Sequence, residues 1–116
     1  MNYSVLYVFD NNYAPYAGVS ICSILENALE GESFTIYALM DRVSDENKEL
    51  FNKLQAQYNN VEIVQKDCSD FSKNLKETNP DLLYRGSIAA MLRLFYVDFI
   101  REGTKQLLYL DCDTLV

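Results

Sequence analysis

The chain contains no histidine and has few positive charges for its length. Its 116 residues carry 10 lysines and arginines against 17 aspartates and glutamates, which gives a formal net charge of −7. Without histidine, Ser-His catalysis, Cys-His catalysis and histidine-ligated metals are excluded from this stretch. A negative field repels nucleic-acid backbones, so we expect no nucleic-acid partner. Any other polyanionic ligand needs a metal ion or a local cation in order to bind.

Cysteines and long apolar runs are also scarce. The three cysteines, Cys22, Cys68 and Cys112, are odd in number and more than 40 residues apart, which fits neither a disulfide framework nor a zinc site. We expect free thiols in a reducing compartment. No apolar run approaches the ~18 residues of a membrane helix. The N-terminus lacks the basic start and cleavage site of a signal peptide, so the predicted location is cytoplasmic.

Strands and helices alternate along the chain. Runs of β-branched and aromatic residues predict strands at 3–9, 34–40, 61–64 and 106–110. This order predicts an α/β protein with a Rossmann-like, mostly parallel sheet flanked by helices. A sheet of four strands with one exposed edge makes a thin domain, so we expect the natural protein to continue beyond Val116.

Three helices are predicted between these strands. The first begins at Pro15, buries an apolar stripe that runs from Ala17 to Ala28, and is followed by Gly31. The second has Ser44 as its N-cap. Its expected inner face consists of Leu50, Phe51, Leu54 and Tyr58. The third spans 87–101, and the polar residues 66–86 before it are expected to form a loop.

Two carboxylates follow the fourth predicted strand. Asp111 and Asp113 come after the apolar run 107–110, and residues i and i+2 of a strand point to the same side. Like charges held together in a half-buried place need a cation, and carboxylate oxygens favour Mg²⁺ or Mn²⁺ over Zn²⁺. The spacing therefore predicts a metal site with open positions for phosphate oxygens. The alternative is a solvated pair of carboxylates in a surface turn.

Polar residues also follow the first predicted strand, at 10–13. Ligands of open parallel sheets bind outside the carboxyl ends of the strands. If strand four lies beside strand one, the two loops face one crevice. Asp10 can accept a hydrogen bond from a base N–H, and Tyr13 offers a flat face for stacking. The alternative is an Asx-type turn that caps the next helix, with Tyr13 as a packed aromatic.

One arginine lies in the apolar helix predicted at 87–101. On a helical wheel, the neighbours of Arg93 three and four residues away are alanine, tyrosine and valine. A buried guanidinium without a partner costs several kcal/mol, so we expect an anionic partner such as the acidic cluster or a ligand phosphate. The alternative is an arginine that extends to solvent.

Three segments together resemble the N-terminal half of family 8 glycosyltransferases. They are V-F-D-N-N-Y-A at 8–14, M-L-R-L at 91–94 and L-Y-L-D-C-D-T-L-V at 108–116. Members of this family are retaining, metal-dependent enzymes of the GT-A fold that use nucleotide sugars, mainly UDP-glucose or UDP-galactose. The resemblance implies that residues 1–116 are the N-terminal nucleotide-sugar-binding part of a GT-A domain that continues beyond the C-terminus.

The resemblance also implies partners and a reaction. A hexose would pass from a UDP-sugar to a hydroxyl of a saccharide, lipid-linked or protein acceptor, with no transmembrane segment in this stretch and with homo-oligomerisation left open. Arg93 would reach the diphosphate or the donor sugar. Asp111 and Asp113 would ligate Mn²⁺ or Mg²⁺, and Asp111 and the Cys112 backbone would touch the ribose.

The remaining implied roles concern the base. Asp10 would hydrogen-bond the uracil ring, Tyr13 would stack on it, Val8 would contribute backbone contacts, and Asn12 would shape the loop. The family pattern also includes a downstream histidine ligand, acceptor-site residues and a basic residue near the leaving phosphate. These lie outside 1–116, so no catalytic residue is identified.

Other interpretations are weaker or remain open. The run 107–116 is similar to the aspartyl-nucleophile motif of haloacid-dehalogenase-like phosphatases, but that motif places one residue between the second aspartate and the threonine, whereas Thr114 follows Asp113 directly. A response-regulator receiver needs an acidic pair after strand one, which Asp10 and Asn11 do not supply. A non-catalytic nucleotide-sugar-binding or interaction module is not separated from an enzyme by these residues.

Overall fold

The chain folds around a four-stranded parallel sheet. The computed structural model describes residues 1–78 and 100–116. Within them the elements are β1 (Asn2–Asp10), α1 (Ala14–Glu26), β2 (Ser33–Asp41), α2 (Asp45–Gln57), β3 (Val61–Asp67), α3 (Ser69–Thr78) and β4 (Leu108–Tyr109). The strands pair in parallel in the order β3-β2-β1-β4. The predicted Rossmann-like α/β fold is confirmed.

Strand β1 is the centre of the core because both of its faces are covered. Val5, Tyr7 and Phe9 pack with the buried residues of α1 and α2. Leu6 and Val8 point the other way, into a second cluster that includes Cys68 and the segment around Leu107. A strand covered on both sides is apolar at every position, which explains the unbroken run of buried residues in β1.

The two long helices begin where the sequence predicts. Pro15 lies in the first turn of α1, and the hydroxyl of Ser44 accepts a hydrogen bond from the backbone N–H of Asn47 at the start of α2 (3.2 Å). Two details of the predicted apolar faces are wrong. Helix α1 ends at Glu26, so Ala28 lies beyond it. Leu50 is 52% exposed, because α2 buries its neighbour Phe51 and turns Leu50 towards solvent.

The loop predicted for residues 66–86 is wrong over its first part. Strand β3 continues to Asp67, and α3 follows over Ser69–Thr78. The helix has Phe71 and Leu75 as its large apolar residues, too few for a clear helical pattern in the sequence. Tertiary packing decides the structure here, because α3 lies against β2 and buries Ser72 beside the sheet.

The end of the described chain also departs from expectation. Strand β4 covers two residues, Leu108–Tyr109, rather than the predicted 106–110, although the N–H of Leu110 still donates to the carbonyl of Leu6 (3.1 Å). The helix predicted at 87–101 lies outside the described residues, except for Ile100 and Arg101, which have no helical structure. In the described ranges, no helix is long and apolar enough to cross a membrane.

Candidate functional site

The loops that follow β1 and β4 lie at the same edge of the sheet. The two strands are parallel neighbours, with Val5 opposite Leu108 and Leu6 opposite Tyr109. The thiol of Cys112 then donates to the carbonyl oxygen of Val8 across 3.4 Å. This contact ties the loop after β4 to the end of β1, so strand four lies beside strand one, the condition stated above for a shared crevice.

Residues 111–114 form a tight turn that presents two carboxylates to solvent. The N–H of Thr114 donates to the carbonyl of Asp111 (3.0 Å). Asp111 and Asp113 are both exposed, and Cys112 between them is buried. The half-buried setting predicted for the carboxylates is wrong, because both lie in the exposed turn that follows the last sheet hydrogen bond, from the Leu110 N–H to the carbonyl of Leu6.

The acidic residues of both loops influence one buried thiol. Burial raises the pKa of Cys112 to about 12, and the negative charges of Asp111, Asp113 and Asp10 raise this pKa in the same direction. Charges act in this way only at short range. The carboxylates at the ends of β1 and β4 therefore lie on the same side of the sheet as Cys112, and their negative charges favour a cation at this edge.

Asp10 builds the turn between β1 and α1. Its Oδ1 atom accepts hydrogen bonds from the backbone N–H groups of Asn12 (3.0 Å) and Tyr13 (3.3 Å). The Asx-type turn considered from the sequence is thus present. Among the described residues, no hydrogen bond uses Oδ2 of Asp10. The carboxylate can therefore hold the turn with one oxygen and accept a ligand N–H with the other.

The ring of Tyr13 lies at the surface beside this turn. It is 49% exposed, and its centroid is 5.8 Å from that of Tyr16 with a tilt of 47°. Tyr13 occupies the N-cap position of α1, where its side chain makes no capping hydrogen bond. Tyr13 is therefore not buried in the core: it contacts Tyr16 and leaves about half of its surface exposed.

Sequence reasoning missed the residue that joins the first loop to the rest of the edge. The Oδ1 atom of Asn11 accepts from the backbone N–H of Ser44 (2.9 Å) and from the Nδ2 of Asn47 (2.8 Å). The sequence identifies Ser44 as an N-cap, whose own N–H needs an acceptor, but it does not show that Asn11 is that acceptor. Two loops far apart in the chain are thereby fixed to each other.

A second missed feature lies at the end of β2. The carboxylate of Asp41 is buried and accepts two hydrogen bonds from the guanidinium of Arg42 (3.3 and 3.2 Å). Arg42 has a φ of 53°, in the left-handed region. Its N–H donates to the hydroxyl of Ser69 (2.9 Å), which supports this backbone conformation. The sequence offers no pattern that separates this aspartate from an ordinary loop residue.

Asp111 and Asp113 supply part of the ligand set that a hard divalent cation needs. Asp111 and Asp113 supply two oxygen donors of the type that Mg²⁺ and Mn²⁺ bind. Within 1–78 and 100–116, no group of three or more histidine, cysteine, aspartate or glutamate residues could hold a metal. The pair fits an ion whose other ligands come from a substrate, from water or from elsewhere in the protein. Arg93 lies outside the described residues.

A groove lies at the opposite end of the sheet in the described part of the chain. Its volume is about 1220 Å³, and its walls include Asn2, Phe34, Leu108 and Val116. Strands β1 and β2 contribute their amino ends to this groove, whereas ligands of parallel sheets bind at the carboxyl ends. None of the described candidate residues lines it, so the groove is separate from the candidate site.

The chain is similar to known glycosyltransferases over almost all of its length. It is 32% identical to the lipopolysaccharide 1,2-glucosyltransferase of Escherichia coli over 113 residues, which cover 96% of this chain and 31% of that protein. The chain spans 32% and 31% of the curated relatives that it matches. Among solved structures, the bifunctional glycosyltransferase WbbM superimposes with a TM-score of 0.76 at 27% identity, covering 99% of this chain and 19% of WbbM.

The galactosyltransferase LgtC is a further structural neighbour. An active-site mutant of LgtC superimposes with a TM-score of 0.70 at 26% identity, and the complex of LgtC with donor and acceptor sugar analogues with a TM-score of 0.67 at 25% identity. In both, the match covers 97% of this chain and 38% of LgtC. The fold is of the GT-A type. The family model described as glycosyl transferase family 8 matches residues 4–116, so the chain belongs to glycosyltransferase family 8.

Proposed function

We propose that this chain is the nucleotide-sugar-binding part of a retaining hexosyltransferase, which moves glucose or galactose from a UDP-sugar to an acceptor hydroxyl. One observation carries the proposal. The loop at 10–13 and the turn at 111–113 lie together at the carboxyl edge of neighbouring parallel strands, joined by the contact between Cys112 and Val8. A base-binding loop and a metal-binding pair must share one crevice if a single nucleotide is to bridge them.

The uridine end of the donor is assigned to the β1–α1 loop. In the proposal, Oδ2 of Asp10 accepts the N–H of the uracil ring while Oδ1 maintains the turn. Tyr13 stacks on the base with its exposed face, and Asn12 shapes the loop. The backbone of Val8 would contribute contacts to the base, although its carbonyl oxygen already accepts a hydrogen bond from the Cys112 thiol.

The diphosphate end is assigned to the acidic turn. Asp111 and Asp113 would hold Mn²⁺ or Mg²⁺, and Asp111 with the Cys112 backbone would contact the ribose. The bound ion would neutralise negative charge on the UDP leaving group. A net charge of −7 makes such a cation necessary for an acidic protein to hold a diphosphate. Arg93 is retained as a proposed contact to the diphosphate or donor sugar.

The acceptor and the cellular setting belong to the same proposal. The relative named lipopolysaccharide 1,2-glucosyltransferase and the LgtC complex with donor and acceptor sugar analogues support a saccharide acceptor. A lipid-linked or protein acceptor is also compatible with the fold. A cytoplasmic location is proposed on the three cysteines, all of which are free thiols.

Substitution of one metal ligand tests the assignment. In the full-length protein, Asp113→Asn should abolish Mn²⁺-dependent transfer from UDP-glucose or UDP-galactose, because it removes the charge of one of two proposed ligands. Glu30→Gln, an exposed charge loss at the opposite end of the sheet, should retain wild-type transfer. Full activity of Asp113→Asn would contradict the assignment.

A calorimetric titration separates an enzyme from a binding module. We expect UDP to bind the wild-type protein tightly with Mn²⁺ and weakly after chelation of the ion. Binding of UDP without hydrolysis or transfer of any UDP-sugar would identify a non-catalytic module. Absence of UDP binding with and without Mn²⁺ would contradict both readings of the site.

A further inference from the structure

The side chain of Asn11 connects two loops at the carboxyl edge of the sheet. Asn11 itself is exposed, and it lies between Asp10 and Asn12 in the β1–α1 loop. Its amide oxygen accepts two hydrogen bonds, from the Ser44 N–H at 2.9 Å and from the Asn47 Nδ2 at 2.8 Å. Both donors belong to the first turn of α2. We call these three residues, Asn11, Ser44 and Asn47, the asparagine clamp.

The start of α2 explains why the clamp forms. In a capping box, the side chain at the third helical position turns back to accept the N–H of the N-cap residue. Asn47 occupies this third position, but its amide nitrogen donates to Asn11 instead. The Ser44 N–H therefore takes its acceptor from another loop, and Asn11 completes the cap of a helix to which it does not belong.

The clamp adds long-range side-chain contacts to the restraints on the β1–α1 loop. Within the loop, Asp10 holds the N–H groups of Asn12 and Tyr13, which fixes the local turn. Such a turn sets the shape of the loop but not its orientation relative to neighbouring strands. At the start of α1, Ala14 and Ala17 are buried in the core, but Tyr13 makes no side-chain capping bond that would hold the loop itself. The long-range contacts of Asn11 fix that orientation against α2.

We propose that Asn11 is a positioning residue for nucleotide binding, which acts by holding the β1–α1 loop in its ligand-ready conformation. This inference rests on the proposed function, since it concerns the loop assigned to the uracil ring. Asn11 directs its oxygen to Ser44 and Asn47 and acts through Asp10 and Tyr13 rather than by contact with the base. Pre-ordering of the loop lowers the entropy cost of binding.

Substitutions at Asn11 test the proposal in the full-length protein. Asn11→Ala removes the acceptor of both bonds, whereas Asn11→Asp keeps an oxygen for both donors. Asn52→Ala is the matched control, because Asn52 is also an exposed asparagine with two side-chain bonds, to Glu49 (3.1 Å) and Gln65 (2.8 Å). The first bond lies within α2 and the second joins α2 to β3, so neither involves the β1–α1 loop.

Two properties are measured for each variant. The first is UDP affinity in the presence of Mn²⁺, measured by calorimetry. We expect Asn11→Ala to weaken it about tenfold, since two neutral hydrogen bonds are lost, while Asn11→Asp and Asn52→Ala stay within about threefold of wild type. The second is amide hydrogen exchange without ligand. Asn11→Ala should accelerate exchange at Asn12 and Tyr13, with the amides of the β1–β2 ladder unchanged.

The two readouts separate failure of this inference from failure of the proposed function. Wild-type affinity and wild-type exchange in Asn11→Ala would overturn the positioning role. Equal losses in Asn11→Ala and Asn11→Asp would also overturn it, because they would point to direct contact with the ligand. If the wild-type protein binds no UDP, the proposed function fails, and exchange at Asn12 and Tyr13 still decides whether Asn11 orders the loop.

Discussion

Replacement of Asp10 by asparagine separates the two jobs that the structure gives to one carboxylate. Oδ1 accepts from the N–H groups of Asn12 and Tyr13, at 3.0 and 3.3 Å. An asparagine amide oxygen can accept the same two bonds. The other oxygen becomes an NH₂ group, which donates and cannot accept the N–H of a uracil ring. Asp10→Asn therefore keeps the turn and removes the proposed contact with the base.

The expected magnitudes differ between folding and binding. Because the turn survives, we expect the free energy of unfolding to change by less than about 0.5 kcal/mol, as for surface substitutions. A hydrogen bond to a charged group contributes about 1.5–3 kcal/mol, so the loss in UDP affinity should be about 10- to 150-fold. Asp10→Ala removes both functions and should lower stability as well as affinity.

Calorimetry with UDP and Mn²⁺, paired with urea unfolding, measures both quantities on the same preparation. Glu30→Gln serves as the control for loss of one negative charge, and its UDP affinity should equal that of wild type. Wild-type UDP affinity in Asp10→Asn would refute the reasoning, since it would show that Asp10 is only a turn-forming residue. A large loss of stability in Asp10→Asn would refute the claim that the amide oxygen supports the turn.

Further predictions concern stability. The hydroxyls of Tyr7 and Ser20 share a buried hydrogen bond of 2.7 Å. Ser20→Ala should therefore lower the free energy of unfolding by about 1–3 kcal/mol, and the double variant with Tyr7→Phe should lower it by less, because no buried hydroxyl is left without a partner. A larger loss in the double variant, measured by urea unfolding, would contradict this. Burial raises the pKa of Tyr7 to about 12 and that of Cys68 to about 11. Both groups therefore contribute stability that is present below pH 9 and is lost as the pH rises towards 12. An unchanged urea midpoint between pH 8 and pH 11 would argue against this pH dependence. Arg42→Ala should lower the free energy of unfolding by about 1–3 kcal/mol, because the buried Asp41 loses its cation. Arg42→Gly should cost about 1 kcal/mol less than Arg42→Ala, since glycine accepts the φ of 53°. Equal unfolding free energies of the two variants would show that the backbone is unstrained at this position.

Local patterns in the sequence were sufficient where neighbouring residues decide the structure. The apolar run at 3–9 predicts a strand buried on both faces, and β1 is such a strand. Ser44 predicts a helix start three residues before Asn47, and the capping bond is present. These features depend on backbone preferences and on hydrogen bonds that span three or four residues, so the nearby sequence contains the information.

The same reasoning failed where a distant contact decides. Helix α3 has few large apolar residues, so its apolar pattern does not predict a helix, and the segment packs against β2 in the fold. The exposed state of Asp111 and Asp113 depends on where β4 ends, which the pairing with β1 sets rather than the residues of β4 themselves. Asn11 resembles any loop asparagine until the chain brings Ser44 and Asn47 to it.

In the candidate site, too, local sequence determined some features and distant contacts determined others. The sequence by itself determined which polar residues follow the apolar runs of the first and fourth strands, namely Asp10 to Tyr13 and the pair Asp111 and Asp113, because alternation of apolar runs and polar residues is a local property. Only the tertiary structure decided that these ends are neighbours, through the parallel pairing of β1 with β4 and the contact between Cys112 and Val8. Strand order depends on contacts between residues about a hundred positions apart, and no local pattern encodes such a contact.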